Sequence, residues 1–458
     1  MVLRGELIDL PAGRRLRCAE KGVAYLDSDK QPRRYSASRW GNKQGLFRLA
    51  VRVFHVAFLL AVLLLALADP PRAGTSTLPD STPSLVAVGD VHGDFDDFCA
   101  ILQRVGLIDE QRHWTGGKAT LVQLGDRIDR GPKPREAMDL VISLQDQAAN
   151  SGGRVVALLG NHEVMNLMGD LRYVTAENYA SYADSESEKR RKTAFERYLA
   201  WRSSHAQLLA ELNQPVFPET EAEWMTRHPP GFIERGEAFS PKGIYGKWVR
   251  QQSALVKIGG IIFLHGGISP AVSSLKLDEI NARIHSEIQQ YDEARQGLTD
   301  EDVFLPFFTL QEAAAAAQAE LSAEHKSRTL SNEARQAKIS KFLELSRWLC
   351  VREDGPLWFR GYDQWSEEEG LPQVEKILAG YNATNIVVGH TVQKAAHIRS
   401  RFDGKVMLID TGMLSSYYPG GKASALEIND DGRFTAVYLD QRVVLLEGKS
   451  AQPVPSNH

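Results

Sequence analysis

The chain has 458 residues, 43% of them hydrophobic and 24% charged, with a formal net charge of -4. That balance is globular, excludes a disordered chain, and gives no electrostatic case for nucleic acid as a partner. Three cysteines, Cys18, Cys99 and Cys350, lie far apart with no CxxC, which points away from a zinc ribbon and from a disulfide framework.

In chain order, residues 1–46 form a polar, basic N-terminal segment. Within residues 47–68 comes "VFHVAFLLAVLLLALA" at 53–68, preceded by Arg48 and Arg52 and closing on Ala66-Leu67-Ala68. The run is short for a full span of about 20 residues but suits a signal-peptide core or an N-terminal anchor. Either one places the rest of the chain outside the cytoplasm, so an exported, periplasmic or extracytoplasmic protein is expected, with membrane contact only through residues 47–68. Residues 69–83, "DPPRAGTSTLPDSTP", read as a linker with too little apolar content to pack. One large domain is expected over 84–445 and a tail over 446–458.

Inside that domain short apolar runs alternate with longer helical patterns, which predicts a layered α/β (α+β) fold. The runs are "LVAV" at 85–88, "ATLVQL" at 119–124, "RVVALL" at 154–159, "IIFL" at 261–264, "NIVV" at 385–388 and "KVMLI" at 405–409. Two stretches, near 170–250 and 275–350, read as helical insertions and candidate lids. The Lys-Arg-Arg-Lys cluster at 189–192 and the alanines of "QEAAAAAQAEL" at 311–321 are expected to be solvated helix surface.

Five of these runs end in residues of metal-ligand type. The first leads to Asp90 and His92 in "GDVHGD"; the second to Asp126, Asp129 and Arg130 in "GDRIDRG". The third leads to Asn161 and His162 in "GNHE", the fourth to His265 in "HGG", and the fifth to His390 in "GHT". Ligands placed where strands run out converge on one edge of a sheet. Carboxylate, imidazole and amide oxygen without thiolate suit two divalent ions such as Mn, Fe or Zn. Asp126 is the natural bridge, because one carboxylate offers an oxygen to each ion. Two ions about 3.5–4 Å apart clamp a phosphoryl group and acidify a shared water, giving a bridging hydroxide as nucleophile. Arg130 can hold phosphoryl oxygens, and His162, oriented by Asp129, can protonate the leaving oxygen as general acid.

In this order the motifs resemble the calcineurin-like metallophosphoesterase superfamily, and GDxxDRG with GNHE resembles its phosphoprotein phosphatase branch. "GPLWFRGY" at 355–362, "VVGHT" at 387–391 and "IDTGM" at 409–413 are similar to the Shewanella-like protein phosphatases. The resemblance spans residues 89–413. It implies a β-sandwich flanked by helices, with Asp90, His92 and Asp126 on one ion and Asp126, Asn161, His265 and His390 on the other. It also implies phosphate contacts from Arg130, Arg360 and Asn161, and Mn as the metal most readily used in vitro.

The sequence departs from the pattern in three places, one being that the segments on either side of His265 are longer than in a minimal catalytic domain, consistent with a lid. A SAPNYC-like loop is replaced by "DTGMLSSYYPGG" at 410–421, which leaves phosphotyrosine as open as phosphoserine or phosphothreonine. His390 is followed by Thr391 and Val392, so GHxH is absent. His397 reads as surface rather than ligand, while Tyr417 and Tyr418 read equally as pocket border or edge packing. The expected activity is a two-metal phosphomonoesterase acting on a phosphoprotein or small phosphoester. The alternatives are a nucleotidase or dinucleotide polyphosphate hydrolase, and a membrane-associated metal-binding scaffold without turnover.

Overall fold

The computed structural model describes residues 84–210, 216–327 and 333–448. The N-terminal segment, the apolar run of 47–68, the linker and all but the start of the tail lie outside the described residues. Up to residue 264 the chain gives β1 (Leu85–Val88), β2 (Thr120–Gln123), β3 (Arg154–Ala157), β4 (Leu255–Ile258) and β5 (Ile261–Leu264). Beyond residue 384 come β6 (Asn385–Val388), β7 (Arg399–Arg401), β8 (Val406–Leu408), β9 (Ser424–Ile428), β10 (Phe434–Tyr438) and β11 (Arg442–Leu446). All six apolar runs are strands; β4, β7 and the hairpin-like series β9 to β11 were not read from the sequence.

These strands form two mixed sheets, in the orders β11-β10-β9-β1-β2-β3 and β4-β5-β6-β8-β7. The strands β1-β2-β3 and β5-β6-β8 pair in parallel, while β9 to β11, β4 and β7 pair antiparallel. A parallel strand is covered on both faces and therefore reads as a continuous apolar run, which is why these six were legible. The pleat divides each strand between two cores. Leu85 and Ala87 of β1 join Val122, Phe263, Val387, Met407 and Leu426 in the layer shared by the sheets. Val86 and Val88 face the other way, onto α1 (Phe95–Arg104) and α2 (Pro134–Asn150), which make the crossovers that parallel pairing requires. The β-sandwich flanked by helices is thus borne out.

The outer face of the second sheet carries the third core. Ile262, Leu264, Ile386 and Val388 pack there with residues of the inserted helices. A short helix α3 (Asn161–Leu167) follows β3, and then come α4 (Ser187–Ser204), α5 (Phe232–Phe239), α6 (Leu277–Asp300), α7 (Leu310–Ser327) and α8 (Glu333–Leu343). Trp201, Trp224, Tyr198, Tyr291 and Phe342 are buried in one cluster with the sheet, so these helices are body rather than a detached cover.

Two expectations about their surface need correcting. In the basic cluster of α4, Lys189 and Lys192 are exposed, but Arg191 is buried and donates to the carbonyls of His228 and Met225. In α7, Ala313, Ala316 and Ala317 are buried: the small side chains allow close packing, so the alanine run is core-facing. Helix propensity alone could not distinguish the two uses. Cys99 and Cys350 are both buried and unbonded to each other. Among the described residues no helix is long and apolar enough to cross a membrane.

Leu426 is fully buried between the sheets and remote in sequence from every strand end that carries a polar cluster. Leu426→Ala is expected to lower stability by about 2–5 kcal/mol through lost burial and the cavity left behind. A reduced urea midpoint at unchanged slope would show it; an unchanged midpoint would mean the two sheets do not share this layer.

Candidate functional site

The ligand-type residues all follow parallel strands, and the chain bends sharply to present them. His92, Asp126, Asp129, Arg130 and His390 have φ between +48° and +68°, in the left-handed region that costs non-glycine residues energy. Such conformations persist only when the surroundings enforce them. One enforcing group is Glu163, in the first turn of α3, whose carboxylate accepts from the N–H groups of Asp126, Arg127 and Gly160 at 2.7, 3.0 and 2.9 Å. The Arg127 guanidinium, wholly buried, lies 3.3 Å from the same carboxylate and also donates to the Leu158 carbonyl at 2.9 Å. A buried pair of this kind is tolerable because most of its hydrogen bonds are filled, Arg127 Nε alone among the guanidinium nitrogens lacking a partner. Gly160 has no room for a side chain, since a Cβ there would lie 2.2 Å from Asp126 Oδ1. The GDRIDRG and GNHE loops therefore meet backbone to backbone.

Asp126 is the centre. Its Oδ1 accepts from the His162 N–H at 2.9 Å, which turns Oδ2 towards the imidazoles. Oδ2 lies 3.7 Å from His92 Nε2, 3.8 Å from His162 Nε2 and 3.3 Å from His265 Nε2. Two clusters of potential metal ligands share it, His92–Asp126–His162 and Asp126–His265–His390. Asp90 joins through Oδ2, 3.8 Å from His92 Nε2, with its Oδ1 held by the His390 N–H at 2.9 Å. Asn161 Oδ1 lies 2.9 Å from His265 Nε2.

The ring nitrogens are sorted by the backbone. His92 and His265 place Nδ1 at 3.0 and 2.9 Å from the carbonyls of Ile128 and Leu124, leaving Nε2 for a ligand role. His390 is reversed, with Nε2 at 3.1 Å from the Trp358 carbonyl and Nδ1 left over. Anchoring one nitrogen to a carbonyl is how a metal-binding imidazole is oriented. Asp90, His92, Asp126, Asn161, His265 and His390 are all at most 6% exposed. The donor set thus fits divalent ions: oxygen and imidazole nitrogen, buried, with the donor atoms converging.

Arg130 lies beside this centre, its guanidinium contacting Nε2 of His92, Nε2 of His162 at 3.0 Å and the Tyr418 hydroxyl. The rings of Tyr173, Tyr417 and Tyr418 surround it at 5.1–5.5 Å. His162 Nδ1 contacts Asp129 Oδ2 at 2.7 Å. Arg360 is exposed and donates to the His390 carbonyl at 2.9 Å and the Thr391 hydroxyl at 3.2 Å, so it borders the second cluster. His397 touches the Ala395 carbonyl and the Tyr438 ring, and belongs to neither cluster. A cavity of about 350 Å³ lies elsewhere, lined by Asn166, Phe232, Arg235, Arg250 and Phe308 among others and by none of the six ligand-type residues.

The sequence reading missed several residues. Asp410 follows β8, the sixth apolar run, and could have been found by the rule that found the other five. It is 1% exposed, and its Oδ2 is buried without a hydrogen-bond partner. Tyr173 and Arg235 come from the 170–250 insertion, where no pattern ties a residue to a distant strand end.

The electrostatics describe a site crowded with carboxylates. Burial, with Asp410 nearby, pushes Asp90 well above the usual carboxylate range. Burial also lifts Asp410 to about 6. Burial would raise Asp126 too, but His265, His162 and His92 outweigh it and hold that carboxyl well below its usual range. Burial and neighbouring cationic groups pull His92 and His390 down, which favours the neutral, ligating imidazole. His265 is the exception: burial opposes its charge, yet Asp126 and Asp90 raise it to about 9.

A raised folded pKa means that the folded protein keeps a proton the unfolded chain releases. The stability due to His265 is therefore full below about pH 6.5 and is lost as pH rises through about 9. In chelator, unfolding free energy should fall over that window by on the order of 3 kcal/mol. Added Mn should remove the fall, since a cation takes the proton's place. Urea titrations at three pH values, with and without Mn, check this.

A sequence profile described as "Calcineurin-like phosphoesterase" matches residues 83–394. An uncharacterised Schizosaccharomyces pombe protein is 31% identical over 369 residues, covering 79% of this chain and 83% of its own. Shewanella-like protein phosphatase 1 of Plasmodium berghei is 26% identical over 360 residues, covering 78% and 74%. Among solved structures, a cold-active protein tyrosine phosphatase superposes with a TM-score of 0.51 at 24% identity, covering 80% of each chain, which supports the fold. The motif resemblance is borne out. With its two carboxylate–imidazole clusters, the chain belongs to the calcineurin-like phosphoesterase family, as a metal-dependent phosphatase.

Proposed function

We propose that the protein is a two-metal phosphomonoesterase, with phosphotyrosine in proteins as its preferred substrate and Mn as an effective metal. The observation that carries the reading is the shared Asp126, whose Oδ2 has imidazole nitrogens from both clusters within 3.8 Å. Asp90, His92 and Asp126 would hold one ion, and Asp126, Asn161, His265 and His390 the other. Such a pair supplies Lewis acidity and an acidified water at neutral pH.

The chain's own groups do the rest. Arg130 offers parallel N–H donors to phosphoryl oxygens, and its three tyrosines confine the guanidinium to the mouth of the site. Asn161 and Arg360 add polar contacts at the second cluster. His162 is placed to deliver a proton from Nε2 to the leaving oxygen. Its Nδ1 is engaged by Asp129 at 2.7 Å, which fixes the ring and stabilises the imidazolium. Nε2 of His162 also lies among the atoms of the first cluster; the negative carboxylate at Nδ1, where His92 and His265 meet neutral carbonyls, is what suits this ring to carry a proton.

The phosphotyrosine preference rests on the rim. Tyr417 is half exposed and packs edge-to-face against Tyr418, offering an aromatic surface to an aromatic leaving group. The same face would accept a nucleobase, so a dinucleotide polyphosphate is the second substrate to test. We further propose export directed by residues 47–68; a mature chain beginning at Met1 and confined to the cytoplasm would sink that reading.

Phosphotyrosine and phosphoserine peptides and a dinucleotide polyphosphate should be assayed with Mn and with chelator. Turnover is expected to need metal and to vanish in Asp126→Asn, with loss of bound metal by elemental analysis. His162→Ala should lower kcat for the peptides by about 10²–10⁴-fold with metal content intact. Tyr417→Ala should raise KM for the phosphotyrosine peptide several-fold and leave phosphoserine unchanged. A preference for the dinucleotide would replace the protein-phosphatase reading, and metal binding without any turnover would favour a scaffold.

A further inference from the structure

The carboxylate behind His162 is shared with an arginine from the insertion. Asp129 Oδ2 contacts His162 Nδ1 at 2.7 Å and accepts from Asn166 Nδ2 at 2.9 Å. Its Oδ1 is buried with no hydrogen-bond partner, and an Arg235 NH2 group lies 3.6 Å away. The same NH2 donates to Asn166 Oδ1. Because guanidinium can only donate, it fixes which way the Asn166 amide points. Asn166 Nδ2 must then face Asp129 and the His162 carbonyl, which it reaches at 2.8 Å. One guanidinium therefore orders the carboxylate that meets the imidazole and the amide that ties that carboxylate to the His162 backbone.

Arg235 is itself held firmly. It is 2% exposed, and its guanidinium lies 4.6 Å from the Phe239 ring centre and 5.9 Å from that of Tyr179. Its helix α5 starts at Gly231, φ +88°, where a Cβ would meet the Tyr179 carbonyl at 1.8 Å. That contact seats α5 against the 176–180 segment and aims Arg235 inward. Asp129 is wholly buried, so without Arg235 its charge would face only the imidazole and one amide.

We propose that Arg235 is a positioning residue: it holds Asp129 and Asn166 so that His162 stays aligned to protonate the leaving oxygen. The inference rests on His162 being the general acid. It makes the 170–250 insertion a part of the catalytic scaffold rather than a cover.

The test is the dependence of rate on leaving group in the metal-loaded enzyme. Phenyl phosphate releases a poor leaving group and needs the proton; 2,4-dinitrophenyl phosphate does not. Arg235→Gln is expected to lower kcat for phenyl phosphate by about 10–100-fold, part of what a general acid contributes. Dinitrophenyl phosphate turnover should stay within about twofold, with KM and bound metal unchanged. Arg235→Lys, which keeps the charge without the planar fork, should recover part of the phenyl phosphate rate.

Equal losses on both substrates, or no loss on either, would overturn the proposal. His162→Asn separates the two levels. If His162→Asn is selective for phenyl phosphate and Arg235→Gln is not, only the role of Arg235 fails. If neither is selective, the general-acid reading fails and takes this inference with it. Should Arg235→Gln not fold, Arg235→Lys decides: the same selectivity at smaller amplitude supports the proposal, and a flat response overturns it.

Discussion

A single carboxylate oxygen, Asp126 Oδ2, must face imidazoles delivered by separate loops while being almost wholly removed from water. Burying that charge is costly unless cationic or hydrogen-bonded partners surround it. Much of the surrounding structure meets this requirement. The His162 N–H takes Oδ1, Glu163 caps the N–H groups of both loops, and Arg127 balances Glu163 behind them. Further carboxylates, Asp90 and Asp410, are pushed up by burial at the same place. Three carboxylates meet at this point, and divalent cations would favour the ionised form that burial opposes in Asp90 and Asp410.

Backbone strain is the second consequence. Ligands from different strands can meet only if the chain turns within a residue or two of each strand end. The left-handed conformations of His92, Asp126, Asp129, Arg130 and His390 are the form this takes. Strain concentrated on functional side chains, rather than on glycines alone, shows that position outweighs local preference there. The sandwich makes it tolerable: the strands β1, β2, β5, β6 and β8, which lead into the site, lie between packed layers, so their ends cannot drift to relax their loops.

The inserted helices join the same argument. They share a core with the second sheet, and that packing carries Tyr173 to the Arg130 guanidinium and Arg235 to Asp129. A chain that only needed to cover the site would not bury Trp201, Trp224 and Tyr198 beneath it. The insertion thus supplies neighbours to both Asp129 and Arg130.

The sequence by itself determined the six parallel strands and most of the candidate metal centre. A doubly covered parallel strand must be a continuous apolar run, and a ligand placed at its end stands next to it in sequence. Asp90, His92, Asp126, Asn161, His265 and His390 were legible for that reason, and Asp410 was legible by the same rule though overlooked. Tertiary structure alone decided the rest. The antiparallel strands β9 to β11 complete a sheet through pairing with β1, which no local pattern announces. Whether the alanines of α7 or Arg191 of α4 face water depends on what packs against them, because propensity is set by one helix and burial by its neighbours. Arg235 and Asp129 are 106 residues apart by their numbering, and their meeting depends on a helix seated through Gly231. Contacts of that kind are made by three-dimensional packing, and the spacing of residues along a chain carries no trace of them.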